Sequence, residues 1–390
     1  MRQNKEKNLK QNKKTKGEEN SSKIKGTKKQ LESRKKLFIK LAIIILIIAL
    51  IVGIIFLCFK AYTFNTLVRE MFNNTPSTVF DSNKNEIAQI GTERNRENVN
   101  FSDIPDQLVN AYVSIEDQRF YKHNGIDIKR TGAAILSYIV KFGSTSFGGS
   151  TITQQLVKNL TGDDSNSIFR KVKEWFYALV LDSTFSKDEI LEAYLNIIYT
   201  GPNIYGVQEA AHYYFNKNIS DLSLAECAYL AGINNAPNSY NPFSDTDKTE
   251  KINNRTKTVL DKMLELEYIS QDEYNSAISE VDNGLNFKKG EITTDSSVYS
   301  YHTDALINEV ISDLSDKKHI SQDFATNFFY MSGVSIYSTE NTEIQAILEN
   351  EAENKKYVLK SSNGEDTSQS AMVVIDHTTG YVVACTRRFR

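Results

Sequence analysis

Cysteine is nearly missing from this chain: three occur in 390 residues, at positions 58, 227 and 385. One lies inside an apolar run and the others stand far apart in unrelated surroundings. No disulfide framework and no metal-ligand spacing can be drawn from them, so we read them as inert. Two further absences narrow the chemistry. There is no glycine-rich phosphate-binding loop and no HExxH, which removes nucleotide-loop and zinc-peptidase readings.

Apolar residues are also scarce in the first 36 positions, which carry 14 Lys/Arg against 4 Glu, while the remainder carries 32 basic against 45 acidic residues. A segment so polar is expected to be disordered. Basic tails can bind nucleic acid, but this one directly precedes an apolar run. Attraction to anionic lipid headgroups is the simpler reading, and no nucleic-acid partner is expected.

The run is "LAIIILIIALIVGIIFLCF", 41–59, uncharged and bracketed by Lys40 and Lys60. Nineteen helical residues cover about 28 Å, close to a bilayer's hydrocarbon thickness. It is longer than the apolar part of a cleaved signal peptide and lacks a small-residue cleavage site. With the basic side retained inside, the expectation is a single-pass anchor with a cytoplasmic N-terminus and an external body. The anchor is assigned to 37–60.

Beyond it, "STVFDSNKNEIAQI" (77–90) alternates and turns at Asp81 to Asn85, as a short hairpin would. From about 102 to 280 the pattern is helical. Ser186-Lys-Asp-Glu189, Ser223-Leu-Ala-Glu226 and Ser270-Gln-Asp-Glu273 each read as a capping box before an apolar run. Gly201 and Gly232 stand where two of those helices are expected to stop. "NGLNFKKGEITTDSS" (283–297) is polar and aperiodic, a linker. After it, 302–314 reads as helix, "GVSIYST" (333–339) alternates, and "AMVVIDHTTGYVVACT" (371–386) reads as two strands around a turn. A lone terminal hairpin is marginal, so this region is expected to be a second domain cut short.

Three segments hold the chemistry. "SIEDQRFYKHNGID" (114–127) places adjacent carboxylates, Glu116 and Asp117, before aromatic residues; a solvated helix end is the plain alternative. "GGSTITQQLVKNL" (148–160) opens a helix with Ser150 and Thr151 as caps, and a free helix N-terminus suits a phosphate. Gln154, Gln155 and Lys158 follow at spacings that share a face, which an exposed polar stripe would also explain. "RKVKEWFYALVLD" (170–182) sets Arg170 and Glu174 at i, i+4 with Lys171 and Lys173 alongside. That is either an ordinary intrahelical ion pair or a second carboxylate held among cations.

Taken together, these segments resemble the peptidoglycan glycosyltransferase domain (family 51 type) of class A penicillin-binding proteins. "EDQRFYKHNGID" is similar to that family's first motif, "GGSTITQQLVKN" to its second and "RKVKE" to its third. "KDEILEAYLNIIYTGPNIYGVQEAAHYYFNK" (187–217) and "SLAECAYLAGINNAPNSYNP" (223–242) resemble the fourth and fifth. The resemblance implies a mainly α, lysozyme-like glycosyltransferase domain over 61–282, with its motifs within 114–242. A linker at 283–300 and an incomplete, partial α/β transpeptidase-like module at 301–390 follow. No KTG is present, and the post-linker SxxK, Ser315-Asp-Lys-Lys318, lacks partners, so transpeptidation is not expected.

The implied substrates are lipid II and the growing glycan strand, at the outer face of the bacterial cytoplasmic membrane. Other cell-wall synthesis or division proteins are candidate partners. Glu116 fits the base that takes the acceptor hydroxyl's proton. A departing pyrophosphate needs cations rather than a protonated acid, and Lys158, Arg170, Lys171 and Lys173 are the candidates. Glu174 either holds a divalent cation (Mg or Mn) or orients those cations. Ser150, Thr151, Gln154 and Gln155 complete the expected substrate-binding set, with Asp117, Phe120, His123 and Gly125 as structural members of the first motif. His123 reads as a packing or hydrogen-bonding residue and Phe120 as core. Asn166 departs from the family, which often has a basic residue there. The apolar stretch 132–147 is expected to dip into the membrane. Two rivals remain: a lysozyme-like glycoside hydrolase, which would need two working carboxylates, and a non-catalytic membrane-anchored scaffold.

Overall fold

The computed structural model describes the chain except residues 1, 73–75, 91–97, 134–148, 166, 203, 292–298, 355, 357–361, 364–368 and 389–390, and gives backbone only for 2–34 and 388. The apolar stretch at 132–147 lies almost wholly outside the described residues, as do Asn166 and the centre of the linker. The chain divides into two compact units, Met1–Lys60 and Ala61–Arg390.

The first unit is a single helix, the greater part of α1 (Arg2–Met71). Its apolar side chains from Leu37 to Phe59 are exposed all round, and the segment is long and apolar enough to cross a bilayer. A helix apolar on every face finds its solvent in lipid, not water. Residues 2–36, expected to be disordered, are helical instead. They contain no proline and are rich in Lys, Gln and Glu, good helix formers that extend a turn already nucleated.

The second unit starts with the end of α1, where Ala61, Phe64, Leu67, Val68 and Met71 recur at helical spacing and are buried. Phe64 stacks on Tyr177 at 4.3 Å between ring centroids. The core it joins is built from α2 (Asp106–Glu116), α3 (Ile152–Thr161), α4 (Ile168–Thr184), α5 (Lys187–Ile197), α6 (Val207–Phe215), α7 (Leu224–Ile233), α8 (Thr249–Glu265) and α9 (Gln271–Asn283). All three expected capping boxes form, and Thr151 with Gln154 makes a fourth. Helix α7, apolar on every face but for Glu226, is buried from Ala225 to Ile233, so it is the central helix.

The two glycines do not end helices as expected. α5 stops at Ile197 and Gly201 lies in strand β3 (Tyr199–Gly201), which pairs with β4 (Ile204–Tyr205). Gly232 lies inside α7, where a Cβ would come within 3.2 Å of the Arg255 side chain. It serves close packing against α8, and Arg255 Nε donates to its carbonyl at 2.9 Å.

Strands β1 (Ser77–Phe80) and β2 (Glu86–Ile90) form the expected hairpin, with Asp81 accepting from the Asn83 and Asn85 amides. Its place differs from the expected grouping with the glycosyltransferase segment. β1 pairs in parallel with β5 (Ser335–Tyr337) from beyond the linker. Val79 and Ile90 then share a small core with Ile307 and Ile311 of α10 (Tyr301–Lys318), Phe329 of α11 (Gln322–Met331) and Ile336. The terminal hairpin of β6 (Ser370–Ile375) and β7 (Val382–Arg388) is clasped by α12 (Thr342–Glu353). Gln345 exchanges two hydrogen bonds with the Cys385 backbone.

Candidate active site

The adjacent acids of the first motif take opposite roles. α2 ends at Glu116 because Asp117 leaves helical geometry (φ −153°, ψ 74°). Asp117 turns inward, fully buried, and accepts from the Ile152 amide at 3.1 Å and His123 Nε2 at 2.9 Å. The motif is thereby fixed to the start of α3. Phe120 is buried as expected, with the Lys187 ammonium 4.4 Å from its ring centroid. Gly125 has φ +76°, and a Cβ there would lie 2.3 Å from the Ala178 carbonyl oxygen; only glycine fits. Asp127 pairs with Arg119 and accepts from the Arg130 amide. Burial opposes its charge, but Arg119 and that amide hold its carboxyl below the usual range. Arg130 then reaches back to the Glu116 carbonyl at 2.7 Å.

Glu116 faces a cleft of about 720 Å³ whose lining includes Arg130, Ser150, Gln155, Lys158, Asn234 and Arg255. Its Oε2 accepts from Gln155 Nε2 at 2.7 Å and its Oε1 from Asn234 Nδ2 at 3.1 Å. A carboxylate has room for further acceptor bonds, so a substrate hydroxyl can still reach it. Lys158 is exposed on the cleft wall.

The second motif divides between cleft and core. Gln155 and Lys158 line the cleft, whereas Gln154 is 1% exposed and donates to Glu174 Oε1 at 3.0 Å. Thr151 is also buried; it caps α3 and donates to the Gly125 carbonyl. Gln154 and Thr151, expected to bind substrate, therefore position other residues. At the α3 N-terminus, Asp117 takes the Ile152 amide and Thr151 Oγ1 the Gln154 amide, so two of its donors are already satisfied.

Glu174 is 4% exposed. Arg170 reaches its Oε2 at 2.5 Å, Lys171 pairs with Oε1, and Lys171 also donates to Ser150 Oγ at 2.8 Å. Lys173 turns away to Asp163 at 2.8 Å, so it leaves the expected cluster. Three of Glu174's acceptor positions are filled, two of them by cations. These residues do not fit a divalent metal at Glu174, and among the described residues no cluster of three His, Cys, Asp or Glu could hold one. The arrangement orients Arg170 and Lys171 instead.

Two members of the site come from segments that sequence reading had matched without assigning roles. Asn234 follows α7, and Tyr194 on α5 is fully buried, donating to Gln155 Oε1 at 3.0 Å and accepting from Asn234 Nδ2 at 2.8 Å. Both lie in the fourth and fifth motif segments, which was the available signal. Burial, then the Glu116 charge, pushes the Tyr194 phenol well above its usual pKa. Burial raises the Cys227 thiol to about 12, so that cysteine is inert at neutral pH.

The family model described as transglycosylase matches residues 83–264. Penicillin-binding protein 1A of Clostridium botulinum (strain Hall) is 36% identical over 364 residues, covering 91% of this chain and 44% of the relative. That of Clostridium perfringens (strain 13) is 39% identical over 325 residues, 80% of this chain and 48% of the relative. Penicillin-binding protein 1F of Bacillus subtilis is 39% identical over 289 residues, 74% of this chain and 38% of the relative. The chain thus spans less than half the length of these curated relatives. Residues 83–264 are a lysozyme-like transglycosylase domain of the glycosyltransferase family 51 type, and the chain is a relative of the class A penicillin-binding proteins.

Proposed function

We propose that this chain is a peptidoglycan glycosyltransferase that polymerises lipid II at the outer face of the cytoplasmic membrane. The acceptor's 4-hydroxyl attacks the anomeric carbon of the growing strand, Glu116 takes the hydroxyl proton, and undecaprenyl pyrophosphate leaves with inversion. The observation that carries this reading is the unequal state of the two carboxylates. Glu116 is open to the cleft and, among the described residues, accepts from the neutral amides of Gln155 and Asn234, while Glu174 is buried and tied to Arg170 and Lys171.

That inequality argues against the hydrolase rival. A glycoside hydrolase needs a second carboxyl able to donate a proton or attack the sugar, and Glu174 is committed to two cations. Cations suit a pyrophosphate, whose departing charge they stabilise without proton transfer. Lys158 and Arg130 on the cleft wall add to that charge. The apolar, lipid-compatible helix supports a place at the membrane where a lipid-linked sugar is presented.

The test is to incubate the purified chain with labelled lipid II and look for polymer on a gel. Release of undecaprenyl pyrophosphate with strand growth is expected. Cleavage of preformed glycan without growth supports the hydrolase, and neither activity supports a scaffold.

A further inference from the structure

Four side chains from four separate segments close a ring of hydrogen bonds at the base of the cleft: Glu116, Gln155, Tyr194 and Asn234. Two carboxamides in such a ring pose a problem of polarity. An amide offers an acceptor at one end and donors at the other, and the two ends have almost the same shape. Either amide, turned over, would aim a carbonyl oxygen at Glu116 and repel its carboxylate.

Tyr194 fixes that orientation from the side opposite Glu116. Its hydroxyl carries one proton and is fully buried. Asn234 Nδ2 donates to it at 2.8 Å, so its own proton goes to Gln155 Oε1 at 3.0 Å. With Gln155 Oε1 committed there, Gln155 Nε2 must face Glu116. With the Tyr194 oxygen accepting from Asn234 Nδ2, the same NH2 group reaches Glu116 as well. Turning Gln155 over would bring two NH2 groups onto the phenol and strand its proton. Burial keeps that proton in place at any working pH, so the hydroxyl acts as a fixed donor.

Resting on the reading of Glu116 as the base, we propose that Tyr194 is a positioning residue for it. Its hydroxyl locks Gln155 and Asn234 with their NH2 ends on the carboxylate, holding Glu116 as an oriented proton acceptor without itself touching substrate. The alternative is a core tyrosine whose hydroxyl is merely satisfied.

Tyr112 provides the control. It is also fully buried, packs edge-on against Tyr194 at 6.3 Å between centroids, and donates to the Leu230 carbonyl at 3.0 Å, outside the ring. Tyr194→Phe loses two buried hydrogen bonds and Tyr112→Phe one, so both should lower Tm, Tyr194→Phe by the larger amount. With labelled lipid II, Tyr194→Phe should lower kcat by about tenfold, the scale of one net hydrogen bond, with KM little changed. Tyr112→Phe should turn over near the wild-type rate. Because the ring acts as one unit, Tyr194→Phe added to Gln155→Met should cost less than the product of the two single losses. Wild-type turnover by Tyr194→Phe overturns the proposal, as do equal kcat losses in the two tyrosine variants or fully multiplicative losses in the double variant. An active Glu116→Gln protein would instead remove the underlying reading, so the two failures are separable.

Discussion

Asn327 of α11 donates through Nδ2 to the carbonyls of Asn159, at 3.2 Å, and Leu160, at 3.0 Å, at the C-terminal end of α3. Ser321 Oγ takes the next carbonyl, that of Thr161, at 2.6 Å. A residue from beyond the linker thus caps the helix that carries Gln155 and Lys158. Terminal helix carbonyls left without donors are costly. Asn327→Leu should destabilise the unit by roughly 1–3 kcal/mol, seen as a lowered Tm with reduced lipid II turnover. An unchanged Tm would show that solvent replaces the cap without cost.

Glu116→Gln keeps the size of the side chain and its place beside Gln155 and Asn234, but an amide cannot accept the acceptor's proton. Turnover should fall by about 10²- to 10⁴-fold with the fold retained. A folded variant that polymerises at near-normal rate returns Glu116 to the status of a solvated helix end.

Much of this was legible where the determinants are local. Capping boxes span four residues, and the 77–90 hairpin turns on Asp81 reaching the Asn83 and Asn85 amides. Local pattern could not say which of Glu116 and Asp117 faces the cleft. That depends on Asp117 meeting an amide 35 residues away. Nor could helical spacing separate Gln154 from Gln155, since which neighbour is buried is decided by α4 packing alongside. Asn234 meets Glu116 across 118 positions, and Val334 meets Ser77 across 257. Such pairings belong to the tertiary fold.

Lys158 tests the leaving-group chemistry most cleanly. It is exposed in the cleft and stands apart from the Glu174 cluster, whereas Arg170→Ala would also release Glu174. Lys158→Ala should cost little stability and lower the rate by an amount on the order of a lost oxyanion donor, ~3 kcal/mol. Lys158→Arg keeps the charge but replaces a compact ammonium with a planar fork, so partial rescue is expected. A Lys158→Ala protein that melts normally and polymerises at the wild-type rate removes Lys158 from pyrophosphate binding.

His302 gives the clasp on the terminal hairpin a pH dependence. It is 6% exposed, with Nε2 at 3.0 Å from the Val382 carbonyl and Nδ1 at 3.3 Å from Glu340, which also accepts from Ser300 and Thr303. Nε2 takes the Val382 carbonyl, and protonation at Nδ1 would place a positive charge against the Glu340 carboxylate. Burial opposes that charge, but Glu340 and the Val382 carbonyl outweigh it, Glu309 adds to them, and the pKa is raised above 6.5. A raised folded value means the stabilisation is fully present below 6.5 and is lost as pH rises through the folded pKa. Hydrogen-exchange protection of the β7 amides, corrected for intrinsic pH dependence, should therefore decline across that interval. His302→Gln should flatten the decline, because a carboxamide does not titrate. Equal slopes in wild type and variant over roughly pH 6 to 8.5, the span in which histidine titrates, would show that the clasp holds without the charge.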